Sequence, residues 1–157
     1  MPLIGTTRFN NNTWKQNCDW RQHSHPSGCA YGLMKPIGLS IPLNSLVFVL
    51  EMNNSNNEIL GIGLINNCPD PMENVRIYKD YNYCCYLYKG KLRIDRSEFN
   101  EIEKKIIQIL EHLVFKGSSH LKRGQGITKM PDKMIHYVMT KGMNIIKELQ
   151  TMFISRN

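Results

Sequence analysis

The hydrophobic period of this chain changes at Asp95, and that change constrains the fold more than any other feature. Before it, apolar residues come in short runs or alternate, as strands require; after it, they recur every three or four positions, as helices require. Leu46–Met52 is a continuous apolar, partly β-branched run, which predicts a strand buried on both faces. Asn53–Asn57 predicts a turn, because asparagine tolerates positive φ. Glu58–Ile65 then predicts the second arm of a β-hairpin. Gly61 and Gly63 lie on one face of that arm, so a close neighbour is expected there, either another backbone or a flat ligand. Val75–Tyr78, the alternating stretch Tyr81–Tyr88 and Leu92–Asp95 predict the remaining strands, four or five in all between 46 and 95.

Asp95 and Glu98 form a capping box, and Phe99, Ile102, Ile106, Ile109, Leu110 and Leu113 form one stripe, which predicts a helix over 96–115. A second helix is predicted over 132–154, with Ile135, Val138, Met139, Ile146, Leu149 and Phe153 as its stripe. Gly142 weakens its middle by up to ~1 kcal/mol and permits a kink. Near the N-terminus, Asn10–Thr13 is a capping sequence for a short helix carrying Trp14 and Trp20. Strands and helices are segregated, so the expected class is α+β. The 157 residues suit a single domain, 1–157.

The formal net charge is +7, which favours phosphate backbones among possible partners. The longest apolar run, Leu46–Leu50, falls far short of the ~20 residues of a membrane span, and Met1–Gly5 does not read as a signal peptide. No membrane partner is expected. Five cysteines, an odd count with the vicinal pair Cys84–Cys85, predict free thiols in an intracellular reducing compartment.

Three stretches suggest recognition chemistry. The 116–131 connection carries Lys116, His120, Lys122, Arg123 and Lys129 with no acidic residue, and its glycines let backbone amides approach an anion. These five side chains are expected to contact phosphate, led by Lys122 and Arg123. Trp14 and Trp20 lie beside Lys15 and Arg21, a pairing suited to stacking a base while cations hold phosphate. Tyr78, Tyr81, Tyr83, Tyr86 and Tyr88 interleave with Arg76, Lys79, Lys89, Lys91 and Arg93, which suits single-stranded nucleic acid or simple strand packing. Cys18, His23, His25 and Cys29 have zinc-compatible types without zinc-ligand spacing, so no metal is expected. No cofactor and no catalytic set is expected either, since neither a carboxylate pair nor a nucleophile motif occurs.

The segments Ser27–Gly32, Ile41–Leu50 and Ile59–Ile65 resemble the PUA-like superfamily, chiefly its EVE, ASCH and YTH branches. The resemblance spans roughly 14–95. It implies a small β-barrel, here followed by the two long C-terminal helices, that binds RNA or DNA and holds a modified or flipped base in an aromatic pocket. On that resemblance Cys29, Ala30 and Tyr31 form the pocket loop, with Trp14 or Trp20 as its wall. Thr6–Asn11 and His120–Thr128, with the high asparagine and isoleucine usage, resemble proteins of nucleocytoplasmic large DNA viruses. That resemblance implies a host-cytoplasmic viral factory or a virion as the location, and other viral proteins as partners. The expected function is nucleic-acid binding, RNA before DNA. The alternatives are a viral structural or assembly protein with a basic surface, and a nucleotide-acting enzyme using His120 with Cys29.

Overall fold

The computed structural model describes residues 1–70 and 75–157. Its centre is a five-stranded mixed sheet made from β1 (Leu3–Phe9), β3 (Leu46–Asn53), β4 (Glu58–Asn66), β6 (Leu92–Asp95) and β7 (Thr128–Lys129). The strand order is β6-β4-β3-β1-β7. Among the described strands only β1 and β3 run parallel, paired from Leu3 opposite Val47 to Phe9 opposite Asn53. A separate two-stranded sheet joins β2 (Cys29–Leu33) to β5 (Tyr86–Gly90). The helices are α1 (Asn11–Ser24), α2 (Glu101–Phe115), α3 (Asp132–Thr140) and α4 (Ile145–Ile154).

Strand alternation assigns the two faces. Ile4, Phe48, Leu50, Met52 and Ile62 meet Ile106, Leu110, Val114, Leu149 and Phe153 in one core under α2, α3 and α4. Phe9, Val47, Val49 and Ile65 join Cys29, Tyr31, Leu87 and Tyr88 in a second core on the opposite face, against β2 and β5. Trp14 and Trp20 of α1 pack on that second core. The layers are therefore helices, the large sheet, then α1 with the small sheet.

The α+β class holds, but the expected barrel does not. The described strands form two sheets, and neither closes. Two strands account for the difference. β1 escaped the periodic reading because it is threonine-rich, yet Thr6 and Thr7 are buried. The hydroxyls of Thr6 and Thr128 bond across β1 and β7 at 3.2 Å, which makes burial tolerable for polar side chains. The crossover from β1 to β3 through α1 and β2 then places α1 over the sheet, where barrel closure would need further strands.

The two long C-terminal helices are also corrected. The first begins at Glu101, after a separate one-turn 3-10 segment, Arg96–Glu98, that uses the Asp95–Glu98 capping box. The second is two helices, because Gly142 turns the chain at φ 90° and Asn144 caps a fresh start on the amide of Lys147. The 116–131 connection contains β7. Val75–Tyr78 is not a strand, and of Tyr81–Tyr88 only the end is: Tyr81–Cys84 is a 3-10 turn before β5. No helix among the described residues is long and apolar enough to cross a membrane.

Candidate functional site

β1 passes into α1 through a single residue, Asn10. Its side chain accepts from the Thr13 amide at 2.8 Å, and the Thr13 hydroxyl accepts from the Asn10 amide at 3.0 Å. This reciprocal cap fixes where the helix begins. The amide of Asn11 is taken by the Ser55 hydroxyl, while that of Asn12 has no protein partner among the described residues. The first turn carries no acidic residue, so the positive end of the helix is left without a carboxylate.

At this end of the sheet, where β1 and β3 both terminate, lies a cleft of about 690 Å³. Crevices beyond the carboxyl ends of parallel strands commonly serve as ligand sites. Among the described residues Arg8, Lys79, Lys122 and Arg123 line it, against one acid, Asp80. None of the four cations makes an ion pair among the described residues. Phe9, Tyr31, Tyr78 and Tyr83 also line it, and of these Tyr83 is exposed while the other three are buried.

Arg8 organises the basic wall. Its guanidinium donates to the carbonyls of Leu121 (2.9 Å) and Gly126 (2.8 Å), and to the hydroxyls of Thr6 and Thr128 (3.1 Å each). Asn54 adds a bond from its amide to the Lys122 carbonyl at 2.9 Å. The chain around Lys122 and Arg123 is thus tied to β1 and to the β3–β4 turn. Burial lowers Arg8 to about 10, which leaves it charged at neutral pH. Its Nε and the Oδ1 of Asn54 have no hydrogen-bond partner among the described residues.

Tyr78 is buried beside the cleft, and its hydroxyl accepts from Asn17 at 3.0 Å. Burial pushes that hydroxyl well up from its ordinary range. Tyr83 is 37% exposed and offers the more accessible ring. Gly32 lies against the Tyr78 ring and the Tyr83 carbonyl, where a β-carbon would collide.

Of the side chains expected at phosphate, Lys122 and Arg123 line the cleft. Lys116 is an exposed residue ending α2, the His120 ring accepts from the Lys122 amide, and Lys129 pairs with Asp132 at 3.1 Å. Of the expected base-pocket residues only Tyr31 lines it. Cys29 and Ala30 are buried within β2. Trp14 packs edge-on against Phe9 at 5.0 Å and lies between Arg21 and Arg93, with centroid distances of 5.2 and 5.1 Å. Trp20 packs on the second core. Burial pushes the Cys29 thiol up to about 12, so at neutral pH it is protonated and a poor nucleophile. The His23 ring bonds the Asp19 carbonyl and the His25 ring the Gly90 carbonyl.

The neighbour of Gly61 and Gly63 is a buried polar network. A β-carbon at Gly63 would collide with the Tyr31 hydroxyl and Cys29, and one at Gly61 with Arg93 and Glu51. Tyr31 donates to Glu51 at 2.7 Å, and Arg93 grips the same carboxylate through Nε at 3.0 Å and Nη2 at 2.6 Å. Sequence reasoning missed Arg8, Asn12 and Asn54 as cleft residues; the only available signal was an arginine two residues before a helix cap. Compared with family models, curated proteins and solved structures, the chain matches none of them.

Proposed function

We propose that this protein binds single-stranded nucleic acid, RNA before DNA, at the cleft between β1, α1 and the 122–126 stretch. One observation carries the reading: Arg8, Lys79, Lys122 and Arg123 line one hollow without carboxylate partners among the described residues, beside the exposed Tyr83. Cations without partners in one concavity attract an anion and raise its local concentration. Tyrosine faces accept unpaired bases in a sequence-tolerant way. The preference for RNA rests on the fact that specific RNA readers mostly take splayed, single-stranded bases. A modified or flipped base held against Tyr83 is the finer form of the same proposal. The viral setting remains part of it and rests on the sequence resemblance alone.

The test is a salt titration of affinity for single-stranded RNA, single-stranded DNA and heparin. Steep salt dependence with RNA preferred over heparin is the expected result. Lys122→Ala and Arg123→Ala should each flatten the logarithmic slope by about 0.7–0.9, the value of one phosphate contact. A shallow slope with no preference among polyanions would remove the proposal and leave a basic assembly surface as the better reading.

A further inference from the structure

We propose that the cleft holds the phosphorylated end of a strand, with a terminal phosphate monoester between Lys122, Arg123 and the start of α1. This rests on the nucleic-acid reading of the same cleft and narrows its substrate class.

The first argument is size. The walls come from separate stretches: the end of β1, the first turns of α1, the Asn54 turn, Gly32 with the 78–83 segment, and 122–126. The hollow is half open and has a volume of about 690 Å³, a size that suits one nucleotide, with the rest of the strand leaving over the open side.

The second argument is charge. Among the described residues four cations face one acid, Asp80. An internal phosphodiester brings a single negative charge, whereas a terminal monoester carries about −1.5 to −2 at neutral pH. The larger charge matches the excess better, and its three terminal oxygens take donors from several directions.

The third argument is donor supply. Arg8 spends both terminal nitrogens on carbonyls and hydroxyls of the wall, so it acts as a fixed field. The side chains of Lys122 and Arg123 and the amide of Asn12 have no hydrogen-bond partners among the described residues. Two flexible cations and a helix-end amide beside a fixed guanidinium provide donors suited to a phosphate monoester.

The experiment compares one RNA oligonucleotide in three forms: 5′-phosphate, 3′-phosphate, and hydroxyl at both ends, at constant salt. One phosphorylated form should bind about tenfold to a hundredfold more tightly than the hydroxyl form. Which one wins identifies the strand polarity. The preference should shrink as pH falls below about 6, where the monoester loses its second charge. It should also shrink in Lys122→Ala and Arg123→Ala, whose partly or fully exposed side chains can be removed with the fold checked by circular dichroism. Equal affinity for all three forms would overturn the terminal-phosphate assignment while leaving nucleic-acid binding in place. Binding of none of them would overturn both.

Discussion

Arg8 and Arg93 are both largely buried, and they are treated in opposite ways. Arg93, with 8% of its side chain exposed, forks onto Glu51, reaches Asp95 at 2.8 Å and lies against the Trp14 ring. Burial alone would pull its guanidinium down, but the Glu51 carboxylate outweighs this and pushes it up. Among the described residues Arg8 bonds neutral oxygens alone, and burial lowers its pKa. A buried charge without a counter-charge is costly, and the hydrogen bonds of Arg8 to Leu121, Gly126 and Thr128 offset part of that cost by tying the 121–128 stretch to β1. Arg93 is neutralised within the scaffold, whereas Arg8 leaves its positive charge uncompensated among the described residues beside the cleft.

The largest effect should come from breaking the paired side. Glu51→Ala leaves Arg93 buried without its main counter-charge and should lower stability by about 3–5 kcal/mol, measured by urea unfolding. If the loss is below about 1 kcal/mol, the network is not the scaffold element described. On the unpaired side, Tyr83→Ala should weaken binding of single-stranded RNA by about 1–3 kcal/mol while leaving the unfolding midpoint nearly unchanged. Trp14→Ala should do the reverse, because its ring is packed between Phe9 and two arginines. A Trp14 variant that unfolds normally but binds poorly would move the stacking surface to α1.

The smallest effect sharpens the contrast through pH. Burial alone would raise the Asp95 carboxyl, but hydrogen bonds from Ser97 and Arg93 hold it below its ordinary 3.8. A carboxyl lowered in the folded state adds stability above its unfolded value and loses it as pH falls through the folded one. Wild type should therefore exceed Asp95→Asn in unfolding midpoint at neutral pH, and the gap should close below about pH 3.8. A gap that persists in acid would show that the carboxylate charge contributes nothing there.

The parts of this fold legible from the sequence are those governed by local chemistry. The asparagine cap of α1, the hairpin from Leu46 to Asn66 and the Asp95–Glu98 capping box all depend on neighbours in the chain. The α2 stripe was read slightly off its true axis: Ile106 and Leu110 are buried, but Ile102 and Ile109 are exposed, while Ile107, Val114 and even Glu103 turn inward. Arg156 explains the glutamate, bonding it at 2.7 Å from 53 residues away. β1 was not legible because its neighbours are distant in the chain: it pairs with β3 about forty residues on and with β7 more than a hundred residues downstream. For the site, Lys122 and Arg123 stood out as cations without local acids, and Tyr78, Lys79 and Tyr83 belonged to a recognisable tyrosine-rich stretch. Trp14 was misleading for a physical reason. Tryptophan beside cations suits base stacking, yet here the cations that hold it include Arg93, supplied by a distant strand.

The single-residue passage from β1 to α1 leaves no slack. Each residue of an α-helix turns it by about 100°, so adding one amino acid between Phe9 and Asn11 would rotate every side chain of α1 relative to the sheet. Asn12 would swing out of the hollow, and Asn17 would lose its hold on Ala30 and Tyr78. Length variation in any descendant of this molecule is thus barred from that junction. It is far better tolerated in the 34–46 connection, where Leu39 and Leu43 stand in solvent.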